Sequence, residues 1–172
     1  MTTVSGTRID VISHGAQSPG SSIAVSARIS VTIGNPDGIV DLTGALRQLA
    51  ERSGVIEGTL HLYCGHTTCG LIINERDSGL ESDLREILER IAPHSDNHYY
   101  AHDKLRTPAE RRVHGERDNG HSHARAIVST HPELNIPITS SSLYLGQWQT
   151  VLLAEFDGPR TRELLARVHN AM

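Results

Sequence analysis

Residues Gly58–Asn74 have the sequence GTLHLYCGHTTCGLIIN, in which two apolar segments flank a short polar one. The apolar segments, Gly58–Tyr63 and Thr68–Asn74, are short and rich in leucine, isoleucine and threonine, which predicts two strands. The polar segment Cys64–Thr67 then connects two strand ends. Loops at strand ends commonly hold catalytic side chains on a rigid scaffold, and a hydrogen-bonded hairpin turn is an equally good interpretation of this one.

Segments outside this pair predict further strands and two main helices. Apolar residues at helical spacing predict a helix over Asp41–Arg52 and a second that starts with a capping box of Ser78 and Glu81 and stops at Pro93. Because strands alternate with only two sizeable helices, we expect an α+β domain and not a doubly wound sheet. The further predicted strands are Thr7–Ser13, Ile23–Ile33, Ile136–Thr139, Ser142–Leu145 and Gln149–Phe156.

Two shorter helices are also expected in the second half of the chain. Thr107–Glu110 has the N-cap threonine, the first-turn proline and the glutamate that are typical of a helix start. Asn119–Thr130 predicts a short helix whose apolar face carries Ala124, Ile127 and Val128.

Composition excludes several classes of protein. A length of 172 residues with 37% hydrophobic and 21% charged residues indicates one folded domain and excludes a disordered or fibrous chain. The net charge of −4 and the aromatic content of 3% argue against nucleic-acid binding. No apolar run approaches the roughly 18 residues of a membrane span, and the N-terminus lacks the pattern of a secretory signal. Two cysteines are too few for a disulfide framework, so we expect a cytoplasmic protein with reduced thiols.

Histidine is the unusual residue of this sequence. It is the commonest protein ligand of zinc and related metals, so a cluster of histidines predicts a metal site. His121 and His123 would point in different directions on a helix but would share one face of an extended segment. A solvated polar segment with scattered histidines is the alternative. Of eleven histidines, seven fall in one segment: His94, His98, His102, His114, His121, His123 and His131.

Other polar residues also stand at positions suited to chemistry. Glu75 ends an apolar strand, where it is either an acid/base or metal ligand or an ordinary exposed residue. Asp83 lies in the first turn of the second helix. A favourable interaction of its negative charge with the helix dipole is the ordinary structural explanation for an aspartate there. Arg160 follows an Asp-Gly-Pro turn and can clamp a phosphate, or is a plain surface arginine. The hydroxyls of Thr67 and Thr68 can donate hydrogen bonds to phosphate.

The order of these motifs resembles the YjbQ family, whose members are described as secondary thiamine-phosphate synthases. Each motif is weak alone, but their order and spacing over residues 28–168 are specific. The matching segments are Asp41-Leu42-Thr43, His66-Thr67-Thr68, Ile73-Asn74-Glu75, Tyr100-Ala101-His102-Asp103, Asn119-Gly120-His121-Ser122-His123, Gly146-Gln147-Trp148-Gln149 and Glu155-Phe156-Asp157-Gly158-Pro159-Arg160.

The resemblance implies a single compact α+β domain with a mixed, largely antiparallel sheet, in a homotrimer. It assigns residues 23–172 to that domain and 1–22 to an N-terminal extension. It also resolves the tail Arg160–His169, which has helical composition but alternates with period two, as a strand. Cys69 departs from the family pattern, which usually has a small apolar residue there.

The resemblance further implies a site near the subunit boundaries. The histidines expected to gather there and hold a metal are His66, His102 and His123, with His121 as the less certain member of its pair. Glu75 and Asp83 are expected nearby as catalytic groups.

Two functions follow as hypotheses. The first is an enzyme that acts on a small phosphorylated metabolite with a divalent metal, zinc or magnesium, and has weak thiamine-phosphate synthase activity. In it the histidines hold the metal, Thr67, Asn74 and Arg160 contact phosphate, and Glu75 is the acid/base or supporting residue. The second is a non-catalytic trimer that binds a metal or an anion at the same place. A metal with an open coordination position distinguishes the first from the second.

Overall fold

Nine strands form two sheets in the part of the chain that the computed structural model describes, residues 6–14, 23–114 and 117–171. Within these residues every pair of adjacent strands is antiparallel. The larger sheet has the order β1 (Gly6–His14), β2 (Ile23–Ile33), β9 (Arg160–Asn170), β4 (Gly58–Cys64), β6 (Glu133–Thr139) and β7 (Ser142–Leu143). The smaller sheet has the order β3 (Gly38–Asp41), β8 (Thr150–Glu155) and β5 (Cys69–Asn74).

The expected α+β fold is therefore confirmed. The helices of the described residues are α1 (Thr43–Ser53), α2 (Ser78–Ile91), α3 (Ala101–Lys104), α4 (Pro108–His114) and α5 (Gly120–Ser129). The two longest are those predicted as the main helices, whereas the single turn α3 was not predicted. Its four residues are too few for a periodic apolar pattern.

The tail strand β9 lies between β2 and β4 in the larger sheet. Its pairing with β2 sets Leu164 opposite Ile29 and Ala166 opposite Ala27, and all four residues are buried. Because side chains alternate across a strand, the period-two pattern places the apolar residues on one face. The interpretation of this segment as a strand is confirmed, and its helical composition is overridden by burial between two neighbours.

Helix ends follow the expected chemistry with one correction. The Asp77 carboxylate, not Ser78, caps α2 and accepts hydrogen bonds from the Gly79 and Leu80 amides at 2.8 and 3.0 Å. Glu81, expected to complete a capping box with Ser78, accepts a hydrogen bond from Arg76 instead. Aspartate satisfies the first free amides of a helix as well as serine does, so the start shifts by one residue.

The buried face of α5 differs from the prediction. Ile127 and Val128, expected on its core face, are 81% and 61% exposed. The buried side chains include those of His121, Ser122 and Arg125. Polar groups can be buried when they are paired, so the hydrophobic pattern of this helix indicates the wrong face.

The N-terminal extension takes part in the larger sheet. Residues Gly6–His14 pair with β2 as its edge strand, as predicted for Thr7–Ser13. The rest of the segment 1–22 lies outside the described residues. In the described parts of the chain, none of the helices has the length and apolar character needed to cross a membrane.

Candidate functional site

An open pocket of about 380 Å³ lies where the β4–β5 loop meets α3 and α5. The loop contributes Thr67, α3 contributes His102, and the first turns of α5 contribute His123. Arg106 and Glu110 complete its polar wall. We call this cavity the histidine pocket. It joins two histidines from segments that are far apart in sequence to a cation and a hydroxyl.

The two imidazoles of the pocket face each other. The ring centroids of His102 and His123 are 4.5 Å apart, with an angle of 59° between the planes. The Arg106 guanidinium contacts Nε2 of His102. Arginine has only donors, so in this contact the guanidinium donates and Nε2 accepts.

His123 is the more buried of the pair. Burial lowers the pKa of its imidazole, and the neighbouring His102 and Arg106 lower it further. Asp157 and a hydrogen bond with the Thr67 backbone act in the opposite direction without reversing the shift. At neutral pH the imidazole is therefore uncharged and able to accept a proton.

Arg106 is fixed at the pocket wall by three contacts. Besides His102, it donates to the Asn119 side-chain oxygen and to the Arg117 carbonyl, both at 3.2 Å. Arginine carries five N–H donors. Both Nη2 hydrogens and one Nη1 hydrogen are used in these contacts, so within the described residues Nε–H and one Nη1–H remain, each able to donate to a separate anion oxygen.

The predicted phosphate clamp, Arg160, is used elsewhere. Its guanidinium forms an ion pair with the Asp157 carboxylate at 2.8 Å. That carboxylate is 11% exposed and also accepts a hydrogen bond from the side-chain amide of Asn119. Arg160 does not line the histidine pocket. The arginine that does line the pocket is Arg106, which the sequence analysis did not select.

His66 stands apart from the other two predicted metal ligands. Its Nε2 lies 3.1 Å from the Glu163 carbonyl oxygen and 3.3 Å from the Glu163 amide nitrogen, and it does not line the pocket. The described residues contain no group of three His, Cys, Asp or Glu side chains placed to share a metal ion. The structure thus brings together His102 and His123. The His66 side chain, from the β4–β5 loop, instead contacts the backbone of β9.

His121 has a structural environment. It is 4% exposed, and its Nδ1 accepts a hydrogen bond from the Ser95 hydroxyl at 2.8 Å. Its Nε2 lies 3.2 Å from the Ser122 hydroxyl oxygen. Burial, followed by the charges of His94 and Arg125, lowers the pKa of this imidazole. Both ring nitrogens already have protein partners, so His121 is not placed as a metal ligand.

The predicted residues Asn74, Glu75 and Asp83 lie away from the pocket. Asn74 ends β5, whereas Thr67 precedes its start, and five steps along a strand cover about 17 Å. All three residues are exposed, and the Asn74 side-chain oxygen accepts a hydrogen bond from the Glu75 amide at 2.9 Å. Pairing of Asn74 with Thr150 places the exposed Trp148 at this same end of the smaller sheet.

Thr68 belongs to a buried network that the sequence analysis missed. Glu155 is fully buried and forms an ion pair with Arg162, which also donates to the Thr68 hydroxyl at 2.7 Å. Thr68 is buried in this structural network and does not line the histidine pocket. A signal was present in the sequence: Arg162 shares the strand face of Leu164 and Ala166, where a charge needs a buried partner.

Asp103 fixes the spacing of the two pocket histidines. It is fully buried, and its Oδ1 accepts hydrogen bonds from the Asn119 and Gly120 amides at 3.0 and 2.9 Å. Asp103 lies on α3 and the two amides open α5, so the carboxylate holds one helix against the start of the other. A Cβ at Gly120 would lie 2.5 Å from the Cβ of Tyr100, which requires glycine at this contact.

Two buried thiols flank the β4–β5 loop. The sulfurs of Cys64 and Cys69 are 3.5 Å apart, and both cysteines are free. The contact with Cys69 lowers the pKa of the Cys64 thiol, and the same contact together with burial raises the pKa of the Cys69 thiol. The sequence analysis expects both thiols to be reduced in the cell, and this stays a prediction.

Comparison with known proteins places the chain in a family. The family model described as UPF0047 protein YjbQ-like matches residues 27–171. A UPF0047 protein of Archaeoglobus fulgidus is 33% identical over 129 residues, 75% of this chain and 89% of that protein. UPF0047 protein YugU of Bacillus subtilis is 28% identical over 127 residues, 73% of this chain and 85% of that protein.

Solved structures agree with this assignment. An uncharacterised conserved protein of the YjbQ/UPF0047 family from Clostridium acetobutylicum has a TM-score of 0.68 at 30% identity, covering 82% of this chain and 98% of that one. The conserved hypothetical protein TT1486 of Thermus thermophilus has a TM-score of 0.60 at 30% identity with the same coverage. Sequence and fold together show that this chain belongs to the UPF0047 YjbQ-like family.

Proposed function

We propose that this protein is an enzyme that binds the phosphate group of a small metabolite in the histidine pocket. The observation that carries the proposal is the placement of Arg106 beside the facing rings of His102 and His123 in an open cavity. Arg106 supplies a positive charge and a remaining Nη1 N–H for one phosphate oxygen, and the exposed Thr67 hydroxyl offers a second contact.

His123 supports a proton-transfer role in this enzyme. A general base must be unprotonated before it acts, and the lowered pKa of His123 keeps its imidazole neutral at neutral pH. In a thiamine-phosphate synthase, a pyrophosphate leaves a pyrimidine-methyl carbon, and a thiazole nitrogen forms a bond to that carbon. We propose this reaction as a weak activity on the basis of the family resemblance, with Arg106 binding the leaving group.

We also propose that the protein is a homotrimer. The exposed isoleucines Ile87 and Ile91 of α2 and Ile127 of α5 support an interface, since large apolar side chains are costly to leave in water. The ion pair between Arg125 and Glu89 packs α5 against α2, and the three isoleucines lie two residues from this pair, on helix faces that point away from it and are open to another copy.

A shared site explains the position of Glu75. Within one chain it lies about 17 Å from the histidine pocket along β5. A closed ring of subunits presents the same surface on each copy and can bring one end of the smaller sheet to the pocket of a neighbour. We propose that Asn74 and Glu75 act on the neighbouring pocket in this way.

A non-catalytic trimer that binds a metal or an anion is the second candidate, and the contact of Arg106 with Nε2 of His102 favours the anion, because a metal at that nitrogen would have to displace the guanidinium. Two converging imidazoles are fewer than the three protein ligands of a typical catalytic zinc site. The described residues of one chain therefore do not fit a complete zinc or magnesium site. No step of the proposed chemistry depends on a metal.

Calorimetric titration with inorganic phosphate and pyrophosphate tests the proposal. We expect Arg106→Gln to weaken pyrophosphate binding about tenfold or more, because it removes charge-assisted hydrogen bonds. The matched control is Arg160→Gln, which removes an arginine paired with Asp157 outside the pocket and should leave affinity unchanged. Equal affinity for the wild type and Arg106→Gln would contradict the proposal, and loss in Arg160→Gln alone would restore the sequence-based clamp.

A further inference from the structure

The two thiols Cys64 and Cys69 stand at the junction between the two sheets. Cys64 ends β4 in the larger sheet and Cys69 begins β5 in the smaller one. Their side chains are nearly fully buried, with the residues 2% and 3% exposed, and their sulfurs lie 3.5 Å apart. The four residues between them form the whole connection from one sheet to the other.

That connection carries one wall of the histidine pocket. Thr67 lines the cavity and its backbone is hydrogen-bonded to His123. Thr68 is held by Arg162 through its hydroxyl, and its carbonyl accepts a hydrogen bond from the Phe156 amide at 3.1 Å. A change in the separation of the two strand ends therefore reaches the pocket through only two or three peptide units.

We propose that Cys64 and Cys69 form a reversible disulfide under peroxide, and that this bond displaces Thr67 and weakens anion binding in the histidine pocket. A disulfide has an S–S distance of about 2.05 Å, so the sulfurs must approach by about 1.5 Å. Cys64 pairs with Leu164 and Cys69 pairs with Glu155 in their sheets. Because both cysteines are held by ladders, the short loop between them takes up the change. The effect on binding rests on the proposed function of the pocket.

The chemistry balances with hydrogen peroxide as the oxidant. One thiolate attacks a peroxide oxygen, the O–O bond breaks, and a sulfenic acid and water result after proton transfer. The other thiol attacks that sulfur, the S–O bond breaks, and a second water leaves as the disulfide forms. Two thiols are oxidised by two electrons and one peroxide is reduced by two. Burial of both sulfurs favours a water-sized oxidant over a bulky one such as glutathione disulfide.

The test treats the full-length protein with hydrogen peroxide and maps the cysteines by mass spectrometry. We expect a loss of two hydrogen atoms localised to a Cys64–Cys69 bridge, and its reversal by dithiothreitol. We expect changed NMR signals of the His66 and His123 rings, and pyrophosphate affinity reduced about tenfold through loss of the Thr67 contact. Cys69→Ala and Cys64→Ala are matched controls that cannot form the bridge, and peroxide should leave their affinity unchanged.

The outcomes separate this inference from the proposed function. Sulfinic acid without a bridge would overturn it, and so would a bridge that leaves the histidine signals and pyrophosphate affinity unchanged. If the bridge forms and shifts the histidine signals but the reduced protein binds no pyrophosphate, the proposed function fails and the redox-sensitive loop stands.

Discussion

The Asp103 carboxylate accepts a hydrogen bond from the Gly120 amide at 2.9 Å and thereby holds α3 against the start of α5. This contact positions the pocket, because His102 precedes Asp103 and His123 follows Gly120 by three residues. The buried carboxylate substitutes for a cap from α5 itself, whose N-cap residue Asn119 forms no capping side-chain hydrogen bond.

Replacing Asp103 should therefore loosen both the helix and the pocket. We expect Asp103→Ala to lower the free energy of unfolding by about 1–2 kcal/mol, as loss of a helix cap does. Asp103→Asn keeps an acceptor oxygen and should retain more stability. Urea denaturation of the two variants checks the order, and equal losses in both would show that charge rather than the accepted hydrogen bond matters.

Arg162 is expected to be the most costly charge to remove. Arg162→Met leaves Glu155 buried without its ion pair, which costs about 3–5 kcal/mol in proteins. The double variant Glu155→Leu/Arg162→Met should recover part of that loss, because no unpaired charge remains.

A surface pair provides the control for Arg162. Arg28 and Glu163 are 3.5 Å apart with both side chains more than half exposed, so Arg28→Met should cost at most about 1 kcal/mol. Urea denaturation measures all three variants. A loss in Arg162→Met no larger than in Arg28→Met would contradict a structural role for the buried pair.

The positions of most strands and the buried face of β9 follow from their period-two patterns, whereas the order of the strands in the two sheets was not predicted, because pairing joins segments far apart in sequence. The pattern fails on α5, where Ile127 and Val128 are apolar but exposed. The apolar pattern of this helix would fit the proposed interface, in which another copy covers these two side chains. Burial of Arg125 depends on Asp37 and Glu89, which are distant in sequence, and no local pattern reports such a pairing.

The site was only half predictable for the same reason. His102 and His123 were identified because their motifs appear in a resembling family, and the structure places them together. Arg106 was missed since nothing in its neighbourhood distinguishes it from other surface arginines before α3 folds against α5. His66 shares its loop with Thr67 but points to β9, and successive residues of an extended loop commonly face opposite ways.

Metal analysis separates the roles of the three histidines. If the facing pair contributes to zinc binding, His102→Ala and His123→Ala should each lower the zinc bound per subunit after dialysis, measured by inductively coupled plasma mass spectrometry. His66→Ala should have less effect, because its Nε2 contacts the Glu163 backbone. His131→Ala, at an exposed position outside the pocket, is the control. Unchanged zinc in all four variants would exclude the metal-binding candidate at this pocket.

The stability of the fold should decrease in mild acid through His121. Burial lowers the pKa of this imidazole in the folded state, so the unfolded chain takes up the proton more readily. Its contribution to stability is complete above the usual histidine value of about 6.5 and is lost as pH falls below it. His121→Gln should remove this part of the pH dependence. Ser95→Ala disturbs the same contact but keeps the imidazole, so its slope against pH should match the wild type.

The oligomeric state provides a direct check on the proposed interface. Light scattering should give the mass of a trimer at micromolar concentration. Ile127→Glu should shift this mass towards that of the monomer. The proposed interface buries the side chain of Ile127, which is 81% exposed in one chain, and burying an unpaired carboxylate there has a large desolvation cost. Ile56→Glu is the matched control, since Ile56 is also an exposed isoleucine, at 65%, but lies in the segment before β4. If Ile56→Glu dissociates the assembly and Ile127→Glu does not, the interface includes the segment before β4 and the proposed α2 and α5 surface is wrong.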